Sequence, residues 1–277
     1  MKLFLLLSNA LFATAIFALP STLAERQARR RAARFRGSQP LIALGTEEKE
    51  DIVNGNNTVN IEYSSNWSGA ILTSPPSGQT FNGVSGRFTV PKPTKGIGSA
   101  SSWSASAWAG IDGDTYSNAI LQAGTDFTIS SSGAVSYDSW YEWFPDYAHD
   151  FSNFAVSAGD VIAVSIVASS SSEGTVTLTN ESTGMSVSKT LSAPNSSATL
   201  GGQNAEWIVE DFGKNGSMVS MAGFGTVTFT NCVATTSSES LGLSGATVFE
   251  IMQNDQVVTN VTIESSSSVE IQYVWAE

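Results

Sequence analysis

From Ile61 to its C-terminal end the chain is written in short runs of β-branched and aromatic residues, broken at close intervals by Gly, Ser, Asn and Pro. VSGRFTV (84–90), SNAILQAGTDFTI (117–129), SYDSWYEWF (136–144), DVIAVSIVA (160–168), GTVTLTN (174–180), AEWIVEDF (205–212), GTVTFTNCV (225–233) and SVEIQYVW (268–275) all read this way. Runs of this length and composition, with turn residues between them, predict strands. No segment shows the apolar period of an amphipathic helix, and no repeat of fixed length is visible. The pattern predicts an all-β protein, a β-sandwich or a barrel, in one domain of roughly 215 residues.

Charge divides the chain unevenly. Of 13 Lys and Arg residues, 7 fall within the first 36 positions. From Asn60 onward 20 acids face 5 bases, a net of about −15. A body of that sign repels phosphate, which argues against a nucleic-acid partner. Few lysines among many acids suit work at low pH, where carboxylates are neutral and self-repulsion fades. The opening MKLFLLLSNALFATAIFALP has a basic residue, an apolar run and then small residues, the build of a secretory signal peptide. Small residues allow cleavage after Ala18 or Ala24. No later stretch is long and apolar enough to cross a bilayer, so no membrane partner is expected. The expected division is a signal peptide at 1–18 (to 24 on the alternative cleavage), a basic propeptide and linker at 19–58, and a single body at 59–277. Six arginines lie between Arg26 and Arg36. Such a cationic arm is expected to dock on the anionic body near neutral pH and to release once acid protonates the carboxylates. A secreted monomer is the default expectation.

Two counts narrow the chemistry. Cys232 is the single cysteine, so no internal disulfide is available, and its strand-like surroundings suggest a buried structural thiol. His149 is the single histidine. A Ser-His-Asp or Cys-His site would have to use it, and a zinc site of two or more histidines cannot be built. No GxSxG, P-loop or HExxH motif occurs. Neither a metal nor a cofactor is therefore expected, and chemistry must rest on carboxylates, amides, hydroxyls and aromatics.

Three segments carry such groups. In SAWAGIDGD (106–114), Trp108, Gly110 and Asp112 share a strand face, and the next strand bears Gln122 between Leu121 and Ala123. That glutamine is either a core amide satisfied by backbone or a donor aimed at a developing oxyanion. In YDSWYEWF, Asp138, Trp140 and Glu142 share one face, a surface that packs in a core or grips an extended peptide or sugar. In NAEWIVEDF (204–212), Glu206, Ile208 and Glu210 share a face opposite Trp207, Val209 and Asp211. A carboxylate held out of water there is paired, protonated or functional. Parity leaves Glu206 and Glu210 equal.

In order along the chain, SNWSGAIL, AWAGIDGD, AILQAG, YDSWYEWFP and NAEWIVEDF resemble the glutamic peptidases of fungi, the eqolisins, over about residues 62–275. The resemblance implies a two-sheet antiparallel sandwich of concanavalin-like form, secretion as a zymogen, protein or peptide substrates, and the chain's own propeptide as inhibitor. It implies that Glu210 acts as general base toward a water and that Gln122 stabilises the oxyanion. It further implies that Trp67, Trp108, Asp112, Asp138 and Glu142 line or support the substrate cleft. Tyr116 and Gly201 stand where better-known members carry a cysteine, which implies one bridge fewer. The competing readings are a noncatalytic carbohydrate-binding sandwich and a glycosidase using two of Asp138, Glu142 and Glu210. Neither requires Gln122.

Sequons occur at Asn56, Asn66, Asn180, Asn195, Asn215 and Asn260. Asn180 and Asn195, read as turn residues, are expected glycan sites, whereas Asn66 beside Trp67 is expected to be buried.

Overall fold

The computed structural model of this chain describes residues 36–44, 51–54 and 57–275. The expected signal peptide and most of the basic segment lie outside the described residues. Fourteen strands have six residues or more: β1 Asn57–Ser64, β2 Trp67–Leu72, β3 Gly83–Thr89, β4 Ser102–Ile111, β5 Ile120–Ser130, β6 Val135–Phe144, β7 Val161–Ser170, β8 Glu173–Asn180, β9 Met185–Ser192, β10 Ala205–Glu210, β11 Thr226–Thr235, β12 Thr247–Gln253, β13 Thr259–Ser265 and β14 Ser268–Tyr273. No helix occurs among the described residues. One sheet runs β9-β8-β7-β3-β11-β14-β13. The other runs β1-β12-β2-β10-β4-β5-β6, with short strands Asp51–Asn54 and His149–Asp150 at its two ends. Asp51–Asn54, within the segment read as linker, pairs antiparallel with Asn57–Asn60. All pairings are antiparallel except β1 with β12.

The two sheets face each other across one apolar core. Trp207 and Val209 of β10, Ala105, Ala107, Ala109 and Ile111 of β4, and Leu121 and Ala123 of β5 meet Val84 and Phe88 of β3, Ile162, Val164 and Ile166 of β7, and Phe229 of β11. In the first sheet the strands alternate as the sequence pattern predicts: β8 reads exposed, then buried at every second residue. Strands β2 and β10 behave differently and are buried at every position. Their second face is covered as well. On it lies a smaller apolar cluster of Trp67, Ile71, Trp108, Ile120, Trp140, Ile208 and Phe249, against which Leu41 packs. This is why NAEWIVEDF carries apolar residues on both parities.

Trp207, the largest core residue of β10, donates its indole N–H to Ser85 O at 2.9 Å, and this bond ties the two sheets together. Cys232 is buried and unpaired, and burial pushes its thiol up to about 12. Among the sequons, Asn66 is buried as expected. Asn180 is also buried, with its amide donating to Asp160 and to Ala155 O, so its turn position does not expose it. Asn195, Asn215 and Asn260 are exposed.

Candidate active site

The face of the second sheet that points away from the core collects the candidate residues, and register shows how. Glu206 opposes Gly110, Gly110 opposes Gln122, and Gln122 opposes Glu142, forming one row across four strands. The next row holds Ile208, Trp108, Gly124 and Trp140. The third holds Trp67, Glu210, Ser106, Asp126 and Asp138. Strict two-residue alternation puts all of them on one face.

Glu210 is completely buried yet well supplied with donors. The Trp108 indole donates to Oε2 at 2.9 Å, and Trp108 is itself set by an edge-to-face contact with Trp67 at 4.9 Å between ring centroids. The remaining donors come from residues 36–44, which run over this face. Ser38 Oγ donates to Glu210 Oε2 at 2.7 Å, and the Gln39 N–H donates to Oε1 at 3.1 Å. Burial pushes the Glu210 carboxyl up to about 7, against the opposing pull of Arg36, Ser38, Gln39 and Trp108.

Further along the same segment, the Ser38 N–H donates to Glu142 Oε2 at 3.2 Å. Arg36 lies between the Trp140 ring at 3.7 Å and the Phe212 ring at 4.5 Å. Its Nε donates to Asp126 Oδ2 at 2.6 Å, its Nη2 donates to Ser106 Oγ at 3.0 Å, and its Nη1 stands 3.6 Å from Glu142 Oε2. Burial raises the carboxyls of both Asp126 and Glu142, and the Arg36 charge opposes the rise. On the other side of Ser38, the Gln39 and Pro40 carbonyls accept from Asn66 Nδ2, and the Ile42 N–H donates to Asn66 Oδ1 at 2.8 Å.

Other expected residues take distinct positions. Asp112, with φ of 70°, ends β4 and accepts N–H groups from Gly201, Gly202, Gln203 and Asn204 at 2.7–3.4 Å. It anchors the turn that leads into β10. Asp138 is exposed at the rim, across from Asp126. Gln122 is buried, and neither of its amide atoms has a hydrogen-bond partner among the described residues, so it is not bonded to Glu210. The Trp108 and Gly124 row separates the two.

The sequence profile of the Peptidase A4 family matches residues 65–273. The chain belongs to the peptidase A4 family. It is 44% identical to Aspergillopepsin-2 of Aspergillus niger over 292 aligned positions, which cover 99% of this chain and 100% of that one. It is 39% identical to Scytalidopepsin B of Scytalidium lignicola, with 97% of each chain covered. A crystal structure of scytalido-glutamic peptidase with a transition state analog inhibitor superposes with a TM-score of 0.67 at 40% identity, covering 76% of this chain and 98% of that chain. That of aspergilloglutamic peptidase from Aspergillus niger gives 0.59 at 50% identity, covering 62% and 99%. The chain is thus a glutamic endopeptidase with the all-β sandwich of that family.

Sequence reasoning about this peptidase missed Asp126, Ser106 and Phe212. Asp126 had a signal: it follows Gln122 by four residues on one strand and so shares its face. Ser106 stands two residues before Trp108 on the same parity. Phe212 lies past the end of β10, where alternation no longer applies. Tyr116 and Gly201 are in contact: a Cβ on Gly201 would come 2.6 Å from Tyr116 Cδ2. The ring fills that space, and its hydroxyl donates to Thr199 O at 2.9 Å.

Proposed function

We propose that this peptidase is a secreted acid endopeptidase in which Glu210 is the general base and Gln122 the oxyanion donor. One observation carries the reading. An extended segment lies across the outer face, and both Glu210 carboxylate oxygens accept from it, Oε1 from the Gln39 N–H and Oε2 from the Ser38 hydroxyl. A face that holds a peptide this way suits a peptide substrate better than a sugar. Residues 36–44 add to the burial that pushes the Glu210 carboxyl up to about 7; once they are gone the carboxyl meets water and substrate, and its ionised form takes a proton from a water whose oxygen attacks the scissile carbonyl carbon. The carbonyl oxygen becomes an oxyanion, and Gln122 Nε2–H donates to it. Glu210 then returns the proton to the leaving nitrogen as the C–N bond breaks. Trp108 keeps the carboxylate oriented through its indole N–H.

The same observation supports a zymogen role for residues 36–44. Ser38 Oγ sits where a water bound to Glu210 Oε2 would sit, and Arg36 fills the space between Asp126, Glu142 and Trp140. Secretion is supported by the leader-like first 18 residues.

The test is digestion of casein or haemoglobin near pH 3 by the matured protein. Glu210→Gln is expected to lower kcat/KM by about 10³-fold or more, the scale of a lost general base. Gln122→Ala is expected to lower it by about 10²–10³-fold, the scale of one oxyanion donor. Pepstatin and EDTA should have no effect. Full activity in Glu210→Gln would sink the assignment.

A further inference from the structure

Glu206 is completely buried, and neither of its carboxyl oxygens has a hydrogen-bond partner among the described residues. Gln122 is in the same condition. A buried polar group without a hydrogen bond is destabilising, so two in one row need a reason. The row supplies one. Gly110 stands between them and presents no side chain. A Cβ at that position would lie 2.8 Å from Glu206 Oε1 and 3.3 Å from Gln122 Cβ. The Trp108 ring lies nearest that space, with Cζ3 at 2.7 Å, and Glu206 and Gln122 close on it from the two neighbouring strands.

The groups facing Glu206 all favour a neutral carboxyl. Ile71 flanks it on β2, Asp112 lies beyond Gly110 at the end of β4, and Asp114 lies in the loop that follows. Glu142 flanks Gln122 on its far side. No cation is among the groups that act on Glu206: burial first, then Asp112 and Asp114, raise its carboxyl well above the ordinary range. Asp112, by contrast, has four N–H donors to hold a negative charge.

We propose that Glu206 is a positioning residue for Gln122, its carboxyl O–H donating to Gln122 Oε1 so that Gln122 Nε2–H₂ faces the scissile carbonyl. The inference rests on Gln122 being the oxyanion donor. An amide's two ends are nearly equal in shape, and a turned amide would offer its oxygen to the oxyanion and repel it. A donor on Oε1 selects the productive orientation. An ionised Glu206 would do the reverse, accepting from Nε2 and pulling it away from the substrate.

The test compares matured Glu206→Leu, Glu206→Gln and Glu210→Gln with the wild type on one peptide substrate from pH 2 to 7, with thermal melts alongside. Glu206→Leu is expected to lose about ten- to a hundredfold in kcat with little change in KM and no loss of thermal stability. Glu206→Gln keeps a neutral donor at every pH. Its kcat at pH 3 should stay within about threefold of wild type, and the upper limb of its pH profile should move to higher pH. Wild-type kcat in Glu206→Leu, or an upper limb in Glu206→Gln that coincides with wild type, would overturn the proposal. If Glu206→Leu does not fold, the Glu206→Gln profile decides alone. An inactive Glu210→Gln beside a fully active Glu206→Leu would overturn this inference and leave the general-base assignment standing. An active Glu210→Gln would remove both.

Discussion

Trp108 joins packing to electrostatics at the centre of the outer face. Its ring meets Trp67 edge to face, and its indole N–H bonds to the carboxylate of Glu210. Trp108→Phe separates the two roles by keeping an aromatic ring and removing the donor. A donor to the charged form favours ionisation, so its loss raises the Glu210 carboxyl further, and the proposed base is then ionised only at higher pH. The lower limb of the pH profile should move up. Activity near pH 3 should fall by about tenfold or more, the scale of a hydrogen bond to a charged group. An unmoved lower limb would reduce Trp108 to a packing residue. The same contact shows where sequence reading ended. Strand parity placed Glu206 and Glu210 together on one face and had no means to separate them. What separates them is supply of donors: Glu210 has Trp108, Ser38 and Gln39, and Glu206 has none. Those donors come from positions about 100 and about 170 residues away in the chain. No local pattern encodes them.

Among the elements, strands were legible and the segment at 36–44 was not. β4, β5, β6 and β10 alternate strictly, so sequence alone put Trp108 with Asp112 and Asp138 with Glu142. Residues 36–44 have charge but no period, and their path is fixed by tertiary partners: Asn66, Glu142, Glu210 and the Arg36 pocket. On the proposed zymogen reading, that pocket makes the segment sensitive to acid. The buried Arg36 guanidinium has Asp126 and Glu142 as its ion-pair partners among the described residues. With the segment in place the Arg36 charge pulls both carboxyls down against burial, so protonating them in acid removes an attraction that only the covered form has. A buried guanidinium without a counter-ion is costly, and the segment then leaves. With Arg36→Ala the anchor is absent at every pH. Processing of the precursor, followed on gels across pH 3 to 7, should then have its midpoint displaced toward neutral by about 1 in pH or more. A midpoint equal to that of wild type would mean that Arg36 does not hold the segment down.

For the molecule as a whole, the buried carboxyls set how stability varies with pH. Several lie away from residues 36–44. Burial pushes Asp211 up to about 7 despite its bond from Gln253, and burial with Glu62 pushes Asp114 up to about 6. Asp112 and Glu206 are also raised, in each case chiefly by burial. A carboxyl whose folded value exceeds its unfolded value binds more protons in the folded state between the two values. Stability is then full below about pH 4 and falls as pH rises through the window from about 4 to 7. Overall charge acts in the same direction. At pH 7 the chain carries a formal charge of −12, which strains the folded state by self-repulsion. In acid those charges vanish, and with only 5 bases after Asn60 little positive repulsion replaces them. The ordinary picture of acid unfolding is thereby inverted. A carboxyl that holds its proton tenfold more tightly when folded contributes about 1.4 kcal/mol, so a few such groups together amount to several kcal/mol. For a body of this size that is on the order of 10 °C in Tm. Thermal melts of the matured Glu210→Gln variant, chosen to suppress self-digestion, should therefore give a Tm near pH 4 higher than at pH 7 by about that margin. A Tm that is flat or rising over the same interval would show that these carboxyls are ionised in the folded state, held by partners or water other than the groups packed around them.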